Sequence, residues 1–216
     1  MKWSKPPEGP PGRRGYHHGN LREALIRGAL ALIAEKGPAG FTIADAARSA
    51  GVSPAAPYRH FRDRDDLMAD VARLGFQEFT ARLAKAWNDG KPDAMSAFEN
   101  VGRAYLAFAR DEPAFYAAMF EAGVPAAPNP ELRQAGDSAF EILRHASEAL
   151  VASLPKERRP PSMMMALHIW AISHGIASLF VRAGSRKTPM APEELLEAAM
   201  LVYFQGLGLS AKSAGA

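Results

Sequence analysis

The sequence predicts an all-α protein of about nine helices, with a small N-terminal three-helix unit ahead of a larger helical body. Three observations carry the prediction. Apolar residues recur at three- and four-residue spacing along most of the 216 residues. There is no run of alternating β-branched residues and no Asn-Gly or Asp-Gly pair joining two such runs. The periodic segments are separated by clusters of Pro and Gly.

Each element follows from local signals. Residues 1–16 read as a flexible basic arm. The first helix runs from about Leu21 to Lys36, with Leu21, Leu25, Ala29, Leu32 and Ile33 on its inner stripe, and Gly37-Pro38 stops it. The second follows Thr42, which can pair with Asp45 in a short capping box, and ends near Ala50. The third follows Ser53, with Pro54 at the first helical position, and ends near Phe61. A long fourth helix capped by Asp63 reaches about Trp87, where Asn88–Pro92 breaks it. Later helices are expected at about 93–110, 112–121, 131–153, 161–182 and 192–208. The implied organisation is an arm at 1–16, a three-helix unit at 17–64 and a body at 65–210.

Composition excludes several classes. A hydrophobic content of 48% is too high for a disordered chain. The chain has no cysteine, which excludes a disulfide scaffold, a thiolate metal site and a cysteine nucleophile, and which fits a reducing, cytoplasmic location. Met1–Gly15 is rich in Pro, Gly and charge and lacks the apolar central run of a secretory leader. Residues 163–181 contain no Asp, Glu, Lys or Arg, and as a helix they would span roughly 28 Å. His168, Ser173, His174 and Ser178 interrupt that stretch and it has no counterpart elsewhere, so a buried helix is expected and no membrane partner.

Charge is unevenly placed. Residues 1–64 hold eleven Lys and Arg against five Asp and Glu, a net of +6, which leaves −3 on the remaining 152. A basic head on a mildly acidic body points to a phosphate partner for the head. Residues 42–61, TIADAARSAGVSPAAPYRHF, narrow that partner. Two short helices meet at Gly51-Val52-Ser53, Ala46 and Ala47 are small enough for a close crossing, and Ile43, Val52 and Phe61 are apolar contacts for the first helix. That is a helix-turn-helix pattern, whose second helix enters a DNA major groove. Ala55 and Ala56 allow close approach to base edges, and Arg59 can donate two hydrogen bonds to guanine. Tyr58 and His60 reach phosphate oxygens, while Thr42 and Ser53 stand at helix starts beside the backbone. Arg64 opposes the dipole at the start of its helix, a cost that phosphate contact would explain.

From Tyr16 to Phe76 the chain resembles the N-terminal domain of the TetR/AcrR family of bacterial transcriptional repressors. The resemblance rests on Glu35-Lys36-Gly37, Phe41-Thr42-Ile43-Ala44-Asp45-Ala46-Ala47, Ala50-Gly51-Val52-Ser53, Tyr58-Arg59-His60-Phe61, Arg64 and Leu67. Where Arg64 stands the family usually has Lys, and both cations contact phosphate. Further on, Trp170-x-x-x-His174-Gly175 resembles the Trp-His-Gly signature of one C-terminal subgroup. The resemblance implies an all-helical homodimer that binds double-stranded operator DNA and answers to a small-molecule effector.

Several segments carry two readings. Arg13 and Arg14 belong either to a solvated tail or to an arm that touches DNA. Ala171, Gly175 and Ser178 form a small-residue stripe which, with Leu195, Ala199, Val202 and Tyr203, makes either a four-helix dimer interface or intrachain packing. Tyr105, Phe108, Phe115, Tyr116, Met119, Phe120, Met164, Trp170 and His174 either surround an apolar or aromatic effector or form plain core. His17-His18 lacks partners at ligand spacing, so no metal is expected, and no cofactor fingerprint occurs. G-x-x-x-x-G-K-[ST], G-x-G-x-x-G, G-x-S-x-G and H-E-x-x-H are all missing, so no enzyme is expected.

Overall fold

The computed structural model describes residues 18–181 and 190–207. Among them are eight α-helices and no strand: α1 (His18–Lys36), α2 (Ile43–Ser49), α3 (Arg64–Trp87), α4 (Ala94–Asp111), α5 (Pro113–Phe120), α6 (Pro130–Ala152), α7 (Ser162–Ile176) and α8 (Pro192–Gly206). A π-helical turn, Ala177–Val181, prolongs α7. The fold is all-α, as predicted. Arg13, Arg14 and His17 lie outside the described residues.

Side chains set the helix starts. Thr42 and Asp45 form the expected capping box: Thr42 N–H and Oγ1–H donate to Asp45 Oδ2 at 2.9 and 2.7 Å, and Asp45 N–H donates to Thr42 Oγ1 at 3.2 Å. Asp63 accepts from Asp66 N–H at 2.8 Å, Asp93 from Ser96 N–H at 3.0 Å, and Asn129 from Leu132 N–H at 3.0 Å.

The missing ninth helix is the one expected from Pro54 to Phe61. Only Pro57–Arg59 is helical there, as a single 3₁₀ turn. Pro57 has no N–H to donate back to Ser53, so the α-helical bond at that step cannot form. The chain instead winds through i→i−3 bonds: Ala56 to Ser53 at 3.0 Å, Arg59 to Ala56 at 3.3 Å and His60 to Pro57 at 2.9 Å.

Two hydrophobic clusters fill the interior. The head cluster joins Leu25, Ala29, Leu32 and Ile33 of α1 to Ile43, Ala46, Phe61 and the α3 residues Leu67, Met68 and Val71. Ala117 and Ala118 of α5 and Leu132 of α6 close it from the body side. Gly28 is where α1 and α2 touch: a Cβ there would stand 3.2 Å from the Ala46 carbonyl oxygen and 3.2 Å from Ser49 Cβ. Gly51 takes φ +69°, the left-handed conformation that the turn requires. The body cluster holds Phe79 and Leu83 of α3 with Phe98, Tyr105 and Phe108 of α4, Leu143 and Leu150 of α6, Met165 and Ile169 of α7, and Met200 and Phe204 of α8.

α3 therefore belongs to both clusters. The division expected between residues 64 and 65 falls at its first residues, whose neighbours Leu67 and Met68 are head core. Ser162–Phe180 is long and apolar enough by composition to cross a membrane. Here Met165, Ile169 and Ile176 turn into the body core, while Met163, Met164, Leu167 and Leu179 are exposed.

Phe79 anchors the body. It is fully buried, with its ring centroid 4.9 Å from those of both Tyr105 and Phe108 and 6.3 Å from that of Trp170. Phe79→Ala is expected to cost about 3–5 kcal/mol of unfolding free energy in urea denaturation. A loss below about 1 kcal/mol would show that this ring does not anchor the core.

Candidate functional site

The head presents an unpaired cation, Arg59, on a turn of exposed side chains. Tyr58, Arg59 and His60 are all exposed, and the Arg59 side chain makes no ion pair or hydrogen bond among the described residues. Pro57 and Phe61, on the opposite side of the same turn, are buried and hold it against the head cluster. Ala55 is exposed and Ala56 half-buried, and Ser53 is exposed at the turn. The arginines around this turn are engaged within the protein. Arg48 pairs with Asp45 at 2.9 Å, Arg62 with Asp66 at 3.4 Å, and Arg22 with Asp70 at 2.9 Å. Thr42 hydrogen bonds hold the Asp45 carboxyl below its ordinary range, and the Arg62 backbone N–H does the same for Asp66.

Arg64 stands at the start of α3, where the sequence puts it, and its guanidinium is engaged within the protein. Its Nε donates to the Phe41 carbonyl at 3.0 Å, Nη2 donates to the Pro38 carbonyl, and Nη1 meets Asp65 at 2.9 Å. The guanidinium also lies 5.1 Å from the Phe41 ring centroid, and only a quarter of the side chain is exposed. The carbonyls it satisfies offset the unfavourable place of a cation at a helix start. Arg64 staples the α1–α2 loop to α3.

In the body, helices far apart in sequence bring polar atoms together inside an aromatic shell. His174 Nδ1 lies 2.9 Å from Tyr116 Oη and 3.1 Å from Tyr105 Oη. Ser178, on the π-helical turn, lies 3.3 Å from Tyr116 Oη and 3.4 Å from His174 Nε2. Nδ1 has one lone pair, so in the tautomer protonated on Nε2 it accepts from one tyrosine hydroxyl at a time while Nε2–H faces Ser178. Phe120 stands edge-on to His174 at 4.8 Å between centroids, and Trp170 is in ring contact with Tyr105, Phe120 and Phe140. Burial lowers the His174 pKa and, together with neighbouring Tyr116, raises that of Tyr105, so this shell is uncharged near neutral pH.

Tyr105, Phe108, Tyr116, Phe120, Trp170 and His174 thus converge. Phe115 and Met119 sit instead where α5 crosses α3, at 3.1 and 2.8 Å from the place a Cβ on Gly75 would take. Met164 points away, exposed on the outer face of α7. α7 is apolar on every side, so its periodicity does not reveal which face turns inward. The rings of the convergent group are in contact with one another. A cavity of about 200 Å³ lies beside it between α3, α5 and α6, lined by Phe76, Met119, Val124 and Leu132 among others. Among the described residues, no group of three His, Asp or Glu side chains is placed to hold a metal.

The outer faces of α7 and α8 carry Leu167, Ala171, Leu179, Leu201 and Val202, all exposed. Gly175 opens onto free space. Of the stripe residues named from sequence, Ser178 turns inward to Tyr116, Leu195 packs on the body core, and Tyr203 meets His168 Nδ1 through its hydroxyl at 3.2 Å. Ala199 is half-buried, and Val202 is 71% exposed. Sequence reading missed Leu201 and Leu179 on this face. It also missed the Asp70 ion cluster in the head, whose partners Arg22 and Arg73 come from α1 and α3.

Two family models match this chain. Residues 25–71 match the bacterial regulatory proteins of the tetR family, and residues 98–203 match the Tetracyclin repressor-like C-terminal domain. The chain belongs to the TetR family of DNA-binding transcriptional regulators. Solved structures agree on the fold. A protein of unknown function from Rhodococcus sp. RHA1 is 29% identical, with a TM-score of 0.73 over 90% of this chain and 98% of that one. The TetR family transcriptional regulator PfmR from Thermus thermophilus is 19% identical, with a TM-score of 0.65 over 82% and 96%. The fatty acid degradation regulator FadR from Bacillus halodurans is 12% identical, with a TM-score of 0.69 over 87% and 96%. Comparison with curated proteins gave no match.

The His174 environment has a pH consequence. Because burial lowers its folded-state pKa, the unfolded chain takes up that proton first as pH falls. The stability it contributes is complete above about pH 6.5 and is lost as pH drops through the lower folded value. His174→Gln should flatten the fall of Tm below pH 6.5 relative to the parent. Superimposable Tm–pH curves would show that His174 does not titrate on unfolding.

Proposed function

We propose that this chain is a ligand-responsive repressor that binds a near-palindromic operator as a homodimer in the cytoplasm. The observation that carries the DNA part is the exposed Tyr58-Arg59-His60 turn, with Arg59 unpaired among neighbouring arginines that are engaged within the protein. In this reading Ala55 and Ala56 face base edges, Arg59 bonds guanine, and Thr42, Ser53, Tyr58 and His60 meet phosphates. Arg13 and Arg14 add arm contacts to the backbone. Arg64 serves by fixing the α1–α2 loop through its carbonyl bonds, in place of the direct phosphate contact expected from sequence.

The outer faces of α7 and α8 support a two-fold four-helix interface, because they leave a band of large apolar side chains without cover. The cluster around His174 supports an uncharged apolar or aromatic effector, and Trp170 with His174-Gly175 supports placement in the Trp-His-Gly subgroup. Effector binding would act through α3, which belongs to both clusters, and can shift DNA affinity only by its own preference for one head spacing. A second reading, DNA binding without small-molecule control, is favoured by the dense packing of the aromatic shell by its own rings. Neither reading involves catalysis.

Selection on random duplex DNA tests the proposal and is expected to return two half-sites in inverted repeat. Repeating it with a metabolite panel separates the two readings: release by an uncharged aromatic compound supports effector control, and a panel without effect supports the second reading. Arg59→Ala should relax preference at one position of each half-site, by about 1–3 kcal/mol. Recovery of no shared sequence would refute operator recognition.

The interface has its own test. The parent should sediment as a dimer at micromolar concentration, and Val202→Asp should shift it to monomer. A parent that is monomeric there, or a Val202→Asp variant that stays dimeric, removes this face as the interface.

A further inference from the structure

A DNA-binding head gains nothing electrostatically from an acidic residue, yet α3 buries one within it. Asp70 is 5% exposed. Its Oδ2 accepts from Arg22 Nε at 2.9 Å, and its Oδ1 accepts from Arg73 Nε at 3.0 Å and Nη2 at 2.7 Å. A buried carboxylate is tolerable only when paired and hydrogen-bonded, and here two guanidiniums do both. Arg73 lies a further 3.7 Å from Glu131, at the start of α6.

Arg22 carries the connection onward. It leaves α1 half exposed and passes 5.9 Å from the centroid of Phe61. Phe61 is 3% exposed and ends the recognition segment, its N–H donating to the Pro57 carbonyl at 3.0 Å. That segment is only a single 3₁₀ turn, because Pro57 has no N–H to continue an α-helical ladder back to Ser53. On its body side lies a cleft of about 260 Å³, bounded by Arg22, His60, Asp66 and Asn129 among others. Beyond its short backbone bonds, the recognition turn is therefore held from below, through the buried Pro57 and Phe61.

We propose that Asp70 is a positioning residue for operator recognition: it holds Arg22 over Phe61, and this clamp fixes the recognition turn against α3. Without the carboxylate, Arg22 and Arg73 are like charges with no shared partner, and Arg22 relaxes to solvent. The inference rests on the recognition-turn reading proposed above.

The sign of one effect separates this role from simple electrostatics. Removing an acidic residue from a DNA-facing head strengthens binding to any duplex if only charge matters. Asp70→Asn is instead expected to weaken binding to the selected operator at least about tenfold, while affinity for a scrambled duplex at the same salt stays level or rises. The specific-to-scrambled ratio thus falls, which a general loss of stability would not produce. Arg22→Gln, on a half-exposed side chain, should lower the same ratio. The double variant should bind no more weakly than the weaker single one, because both remove one clamp.

Fluorescence anisotropy on the full-length chain reads all three variants, with circular dichroism confirming their helicity. Unchanged ratios in Asp70→Asn and Arg22→Gln overturn the clamp. So does an Arg22→Gln loss that is additive with Asp70→Asn and lowers the salt slope by about 0.9, since Arg22 would then be a direct phosphate contact. A parent that prefers no sequence overturns the recognition reading itself, and a parent that discriminates alongside Asp70→Asn that does so equally overturns the clamp alone.

Discussion

α3 has to satisfy two hydrophobic clusters at once, and most of the molecule is arranged around that demand. Leu67, Met68 and Val71 in its first half lie in the head cluster with α1 and α5, while Phe79 and Leu83 in its second half lie among α4, α6 and α7. A helix of 24 residues is about 36 Å long and stiff over that distance. Any adjustment of the body that rolls or slides α3 therefore carries the head with it. Packed interfaces of this kind are close to jigsaw density and respond by discrete repacking rather than smooth deformation.

The two ends of α3 are controlled by different chemistry. At the head end the connections are polar and directional: Asp63 caps the helix, Arg64 ties it to the Pro38 and Phe41 carbonyls, and Asp70 collects Arg22 and Arg73. Such bonds fix orientation more than they add stability, because charges withdrawn from water give back much of what pairing gains. At the body end the connections are aromatic. Phe79 meets Tyr105, Phe108 and Trp170, and these lead to the Tyr116–His174–Ser178 cluster. The head thus has a specified geometry, and the body has an uncharged aromatic cluster in which Tyr105, Tyr116, His174 and Ser178 lie within hydrogen-bond distance of one another.

Much of this was legible in the sequence, and the reason lies in proline and in capping side chains. Pro113, Pro130 and Pro192 each stand at the first turn of a helix, Gly37 closes α1, and Thr42, Asp63, Asp93 and Asn129 cap their helices with their own oxygens. These effects act within three or four residues, so the chain states them locally. The same local rule misled at one place. Pro54 reads as a helix starter, but Pro57 three residues later removes the bond that would carry the helix forward, and a 3₁₀ turn results.

The exposed turn of the head was also written in the chain. Partnership across distance was not. Arg22 and Asp70 are 48 residues apart, Tyr105 and His174 are 69, and Arg64 finds the Phe41 carbonyl 23 residues back. Periodicity places a residue on a helix face without saying what that face will meet. On α7, apolar all round, it does not even choose the face, and so Met164 turns outward while Met165 turns in. The sequence by itself determined the helices, their ends and the exposed turn, because those depend on neighbouring residues. Only the tertiary structure decided which charges and hydroxyls pair, because burying a polar group requires a partner, and here that partner arrives from another helix.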